Sequence, residues 1–119
     1  MKVLIADDSK PVRERLVSMI AGLNRDVFIR SAINGSDALE QLKVFQPDVV
    51  ILDIRMPDKN GMQVLEEIRD KAQRPFIIML SSYSYPQYHD SCRKLGANIF
   101  LDKSTEFEKI MQILETYET

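Results

Sequence analysis

Five short apolar runs punctuate the chain: Val3-Leu4-Ile5-Ala6, the partly alternating residues 27–32, Val49-Val50-Ile51-Leu52, Phe76-Ile77-Ile78-Met79-Leu80 and Ile99-Phe100-Leu101. Each is too short for a helix and is bounded by polar or turn-forming residues, so each reads as a strand. The longer segments between them carry apolar residues at helical spacing. Val12, Leu16, Met19, Ile20 and Leu23 form one such face, and Ala38, Leu39, Leu42 and Phe45 a second. Met62, Leu65 and Ile68 mark a third helix, and a fourth runs from near Pro86 to Leu95-Gly96. The last has Phe107, Ile110, Met111, Leu114 and Tyr117 turned inward. Asp8 or Ser9 is expected to cap the first helix, with Pro11 harmless in its first turn, and Ser104 or Thr105 the last. Strand and helix thus alternate five times, which predicts an α/β fold: a doubly wound parallel sheet with helices on both faces and right-handed crossovers. Strands 1, 3 and 4 are almost wholly apolar and belong at the centre, whereas Arg30 and Ser31 place strand 2 at an edge.

A length of 119 residues indicates one domain, residues 1–119, large enough to bury a core without disulfides. The formal net charge of -2, with scattered basic residues, argues against nucleic acid as a direct ligand. A single cysteine, Cys92, fits a reducing compartment. No apolar run approaches the ~20 residues of a membrane span, and no secretory leader fits the start, so a cytoplasmic location is expected.

The polar residues that end the runs change the picture. Asp7-Asp8 follows strand 1, Asp53 strand 3, Ser81-Ser82 strand 4, and Lys103 strand 5. In a parallel sheet these ends share one edge, where ligands of open α/β sheets bind. Three carboxylates there repel one another unless a cation joins them, which implies a hard divalent ion such as Mg2+. A carboxylate left free to attack phosphorus would form an aspartyl phosphate. Asp53, closing the most apolar strand, is the candidate. The Ser81 hydroxyl and the Lys103 ammonium suit phosphoryl oxygens, and Ser82 is small enough to leave room. Bland readings stand beside these: Asp8 as an N-cap with Asp7 solvated, Ser81 as a turn residue, Lys103 as a surface lysine. His89 reads as an exposed helix residue and Cys92 as semi-buried packing. Tyr83, Tyr85, Tyr88 and Phe100 are expected to lie close together, as a partner surface or as packing under the loop.

From Lys2 to about Tyr117 these residues resemble the receiver domain of two-component response regulators, and Asp53-Ile54-Arg55-Met56-Pro57-Asp58-Lys59-Asn60-Gly61 is similar to that family's acceptor loop. The resemblance implies a flavodoxin-like sheet of order 2-1-3-4-5. It implies Asp53 as phosphoacceptor, and a Mg2+ site (with Mn2+ as a substitute) formed by Asp7, Asp8, Asp53 and the backbone carbonyl of Arg55. It further implies Lys103 as the charge-stabilising lysine, and Ser81 and Phe100 as switch residues. The partners it implies are a sensor histidine kinase or histidine phosphotransfer protein and a downstream protein effector. That effector would be reached through a remodelled surface of the fourth helix, fifth strand and fifth helix. The chain would be a monomer or a phosphorylation-linked dimer, with self-catalysed phosphorylation and dephosphorylation but no enzymatic turnover.

Two departures accompany the resemblance. Ser104 follows Lys103 where the family usually has a cis proline, and a cis bond before a non-proline costs roughly 3–4 kcal/mol. Phe100 lacks the hydroxyl of the commoner tyrosine. Arg55 and Tyr83, each two residues beyond an expected site residue, should border the phosphoryl group and restrict attacking water, although both would also pass as solvated loop residues. Of the rival functions, an aspartyl-nucleophile phosphatase of the haloacid dehalogenase type wants an acid where Arg55 stands. A flavodoxin-like cofactor carrier lacks a suitable loop after strand 1. A receiver fold kept only as a docking module remains as the alternative.

Overall fold

The computed structural model describes residues 1–71, 73–83 and 85–118. Five strands and five helices alternate in the order β1 (Lys2–Ala6), α1 (Lys10–Ala21), β2 (Phe28–Ala32), α2 (Gly35–Phe45), β3 (Val49–Leu52), α3 (Gly61–Ile68), β4 (Phe76–Ser81), α4 (Pro86–Lys94), β5 (Ile99–Asp102) and α5 (Lys109–Thr116). All pairings are parallel, and the strand order is 2-1-3-4-5. This is the doubly wound parallel sheet expected from the alternation, in the flavodoxin-like order that the resemblance implies.

Alternate strand residues point to opposite faces of the sheet and feed two separate cores. Leu4, Val50, Leu52, Ile77 and Met79 pack with Ala38 of α2, Val64, Leu65 and Ile68 of α3, and Cys92 of α4. Val3, Ile5, Ile51, Ile78 and Leu80 pack with Leu16 and Ile20 of α1 and with Ile110 and Leu114 of α5. Fully burying each such leucine or isoleucine contributes roughly 1.5–3 kcal/mol, which is why the interiors of the central strands carry no polar residue.

Local sequence sets most helix starts. The Ser9 side chain, not that of Asp8, accepts from Val12 N and caps α1. Asp8 is exposed and free for other work. Asn34 caps α2, and Asn60 with Gln63 forms a reciprocal capping box on α3. Pro86 occupies the first turn of α4, and Gly96, at φ +101°, follows its end.

The last helix departs from expectation. It starts at Lys109, after Glu108, so neither Ser104 nor Thr105 caps it. Both instead donate backbone N–H groups to the Asp102 carboxylate in a turn that precedes the helix. Phe107, expected on α5, lies before it and is still buried. No peptide bond among the described residues is cis, so Lys103–Ser104 is trans. The end of α5 is closed by Arg25, whose guanidinium donates to the carbonyls of Leu114 and Tyr117. No helix among the described residues is long and apolar enough to cross a membrane.

Candidate functional site

Ladder hydrogen bonds run on past the strand ends and carry the polar residues with them. Asp7 N donates to Ala32 O at 3.1 Å, Asp53 N to Ala6 O at 3.0 Å, and Lys103 N to Ser81 O at 2.9 Å. The register continues from the apolar strands into the site, so Asp7 and Asp53 sit on adjacent rows, and Lys103 two rows further on, at one edge. The N-terminus of α3 closes against the same edge: a Cβ on Gly61 would lie 2.1 Å from the Asp53 carbonyl oxygen, so no larger residue fits there. Arg13, a residue to which the sequence pattern assigns no role, donates from α1 to the Asp7 carbonyl at 2.8 Å.

Asp7, Asp8 and Asp53 can each offer one carboxylate oxygen within 4.8 Å of the others. Asp7 and Asp53 are buried and Asp8 is exposed, so Asp7 is no solvated neighbour of a cap. Lys103 Nζ lies 2.8 Å from Asp7 Oδ2 and 3.0 Å from Asp53 Oδ2, bridging the two buried acids. Burial raises the Asp53 carboxyl above its ordinary value; Lys103 pulls it back down only in part, and Asp7 adds to the rise. Burial pulls Lys103 down, but its bonds to Asp7 and Asp53 outweigh that and leave it above the usual lysine range. One cation thus serves two acids, with a third beside them. An all-oxygen donor set carrying excess negative charge suits a hard divalent cation, and the residues fit a Mg2+ ion on that ground.

A shallow concavity of about 430 Å3 opens above Asp53, lined by Asp8, Arg55, Met56, Pro57 and Tyr83. Arg55 Nη1 donates to the Tyr83 hydroxyl at 2.9 Å, and its guanidinium lies 5.0 Å from the Tyr83 ring centre. Neither is a loose loop residue; together they form one wall. Ser81 is fully buried at the end of β4, and its Oγ accepts from Tyr83 N at 3.1 Å. Ser82 is exposed beside it. A second concavity, of about 510 Å3, is at the opposite end of the sheet, between Leu42 of α2 and Ile68 of α3, and is lined by none of the expected site residues.

Phe100 stands apart from the acid cluster. It is half-buried on β5, and its ring stacks on His89 at 4.0 Å between centres, with an interplanar angle of 23°. His89 is therefore a packed residue and not the freely exposed one its position suggested. Tyr83, Tyr85 and Tyr88 do cluster, with Tyr88 6.5 Å from Tyr83 and 6.1 Å from Tyr85, while the described ring partner of Phe100 is His89. Ser84, within the same expected aromatic stretch, lies outside the described residues. Cys92 is wholly buried, beyond the semi-burial expected, and its thiol is pushed up to about 11, which makes it an inert core residue.

The comparisons agree with this geometry. Residues 3–115 match the response regulator receiver domain family. A protein-glutamate methylesterase/protein-glutamine glutaminase from Clostridium acetobutylicum is 38% identical over 105 residues, which are 87% of this chain and 30% of that protein. The response regulator domain of Thermotoga maritima CheB superposes with a TM-score of 0.82 at 30% identity, covering 96% of this chain and 90% of that one. A chain of the CheX-CheY-BeF3-Mg2+ complex from Borrelia burgdorferi superposes with a TM-score of 0.80 at 27% identity, covering 96% and 89%. The chain spans between 30% and 55% of the length of the curated relatives it matches. The shared fold, the acidic cluster and the match along almost the whole chain lead to one assignment: this chain belongs to the response regulator receiver domain family of two-component systems.

Proposed function

We propose that the chain accepts a phosphoryl group on Asp53 from the phosphohistidine of a sensor histidine kinase or histidine phosphotransfer protein, in the cytoplasm. The observation that carries this reading is the pairing of one cation, Lys103, with two buried acids, Asp7 and Asp53, beside the third acid Asp8. Asp53 Oδ attacks phosphorus; an O–P bond forms, the P–N bond breaks, and its electron pair returns to the imidazole nitrogen. Asp7, Asp8, Asp53 and the Arg55 carbonyl would hold Mg2+, which supplies charge neutralisation to the transferring oxygens. In the resting protein Lys103 holds the acids together. In the phosphorylated state its ammonium turns to a phosphoryl oxygen and stabilises the charge there.

Ser81 lies one strand away from Asp53, so its hydroxyl, which accepts from Tyr83 N, can donate its own O–H to a phosphoryl oxygen. Phe100 would leave His89 and turn inward, altering the surface of α4, β5 and α5 that an effector reads. Ser82, Arg55 and Tyr83 border the phosphoryl group, and the Arg55–Tyr83 wall limits the approach of hydrolytic water. The effector is a separate protein or a further domain.

Incubation with Mg2+ and acetyl phosphate, followed by intact mass, tests the acceptor. One added phosphoryl group is expected, lost with chelator and absent from Asp53→Ala. Incorporation that survives Asp53→Ala, or beryllofluoride and Mg2+ failing to bind the wild type, overturns the reading.

A further inference from the structure

Lys103 reaches the acids on a flexible four-carbon stem, and holding such a side chain in one geometry is entropically costly. Its backbone is anchored on one side by the N–H to Ser81 O bond at 2.9 Å. On the other side stands a compact turn in which the Lys103 side chain takes no part. Asp102 Oδ1 accepts from Ser104 N at 2.8 Å, Ser104 Oγ at 2.6 Å and Thr105 N at 3.3 Å. Asp102 N donates to Glu106 Oε1 at 3.0 Å, and Glu106 N returns a bond to Asp102 O at 2.8 Å. Lys109 fixes the other Glu106 oxygen at 2.7 Å.

This turn is not the N-cap of α5, which begins at Lys109 after Glu108. Nor is Asp102 a member of the acid cluster, which comprises Asp7, Asp8 and Asp53. One oxygen of its carboxylate, Oδ1, accepts from the two residues that follow Lys103. We propose that Asp102, through the turn it closes with Ser104 and Glu106, is a positioning residue that aims the Lys103 ammonium between Asp7 and Asp53. Ser104 contributes its hydroxyl as well as its N–H, so the turn closes around a trans Lys103–Ser104 bond. The functional consequence rests on the phosphoacceptor reading above; the positioning itself does not.

Two measurements on wild type, Asp102→Ala, Asp102→Asn, Lys103→Ala and the Asp102→Ala/Lys103→Ala double variant separate these. The first is acetic anhydride labelling with peptide mapping. Lys103 of the wild type is largely covered and bonded to two acids. Its reactivity relative to the exposed Lys94 is expected to rise about fivefold in Asp102→Ala and to stay near wild type in Asp102→Asn, whose amide oxygen still accepts. The second is affinity for beryllofluoride with Mg2+, set beside affinity for Mg2+ alone. Asp102→Ala should weaken beryllofluoride by about tenfold, the scale of a lost hydrogen bond to a charged group, and leave Mg2+ within about twofold. The double variant should bind beryllofluoride no more weakly than Lys103→Ala, because Asp102 acts only through Lys103. Unchanged Lys103 labelling in Asp102→Ala overturns the positioning role, as does a further tenfold loss in the double variant. Wild type that fails to bind beryllofluoride overturns the phosphoacceptor reading instead, and the labelling result still decides the turn. Should Asp102→Ala not fold, Ser104→Ala, which removes only the hydroxyl bond, is expected to raise Lys103 labelling about twofold, and no rise overturns the proposal.

Discussion

The two sides of the sheet are built to different tolerances. On β1, Val3 to Ala6 have no exposed surface, and on β3 no residue exceeds 2%. On β5 only Leu101 is buried, and α4 contributes a single buried residue, Cys92. Asp7, Asp8 and Asp53 follow the tight strands, whereas Phe100, His89 and the tyrosines belong to the loose side. Like charges kept adjacent need a backbone that resists relaxation as well as a neutralising cation, and strands buried on both faces provide the first. On the proposed reading the α4–β5 side repacks when Asp53 is phosphorylated, and weaker packing suits that, because local opening scales with the apolar contacts it breaks. Lys103 joins the two, following the loose strand β5 while tied to β4 and to the acids.

The comparison breaks most readily on stability. Leu52→Ala in β3 should cost about 2–5 kcal/mol in urea unfolding. The exposed-side truncation Tyr85→Ala should cost about 0.5 kcal/mol or less. Comparable losses would mean that the two sides are equally packed. Amide exchange should follow the same division, slowest in β1 and β3 and faster in β5.

The acids give the next largest effect. Burial raises Asp53, so on acidification it takes a proton at a higher pH than an ordinary carboxylate. Below that pH, apparent Mg2+ affinity should fall by about tenfold per pH unit, because proton and metal compete for the same oxygens. A titration calorimetry series from pH 8 to 4 checks this, since a free carboxylate titrates near about 4. For folding, the signs of the two partners oppose one another. The raised Asp53 value means that its ionised form is disfavoured by the fold, a cost present above its folded value and removed as pH falls towards the unfolded one. Lys103, also raised, contributes stability that is full below its unfolded value near ~10.4 and lost as pH rises through the folded one.

Smaller effects are expected at the wall and at the stack. Arg55→Ala and Tyr83→Ala should each change the dephosphorylation rate severalfold, and the double variant should add little, since the two are one hydrogen-bonded unit. Unchanged rates would return both to the status of solvated residues. His89→Ala should cost about 1 kcal/mol or less in stability while shifting the Phe100 aromatic resonances, a readout of the 4.0 Å stack.

Much of this was legible along the chain. Alternating elements, central and edge strands, and the aligned Asp7, Asp53, Ser81 and Lys103 all follow from runs of apolar residues with abrupt polar ends. The cap of α1 shows where legibility stopped: Asp8 and Ser9 are both good caps, and only the folded geometry, in which Ser9 Oγ accepts from Val12 N, separates them. At the start of α5, Ser104 and Thr105 carry a strong capping signal, yet Asp102 captures their N–H groups and delays the helix. His89 on α4 and Phe100 on β5 are eleven residues apart, and no local pattern pairs them.

The sequence by itself determined the sheet and the edge at which chemistry collects, because burial on both faces forces uninterrupted apolar strands and permits charge only where they end. Only the tertiary structure decided how the charges are shared: one ammonium between Asp7 and Asp53, Arg55 on Tyr83, His89 on Phe100, and Asp102 turned back on Ser104. These depend on which side chains reach across different elements, a matter of distance in the folded chain that spacing along it does not encode.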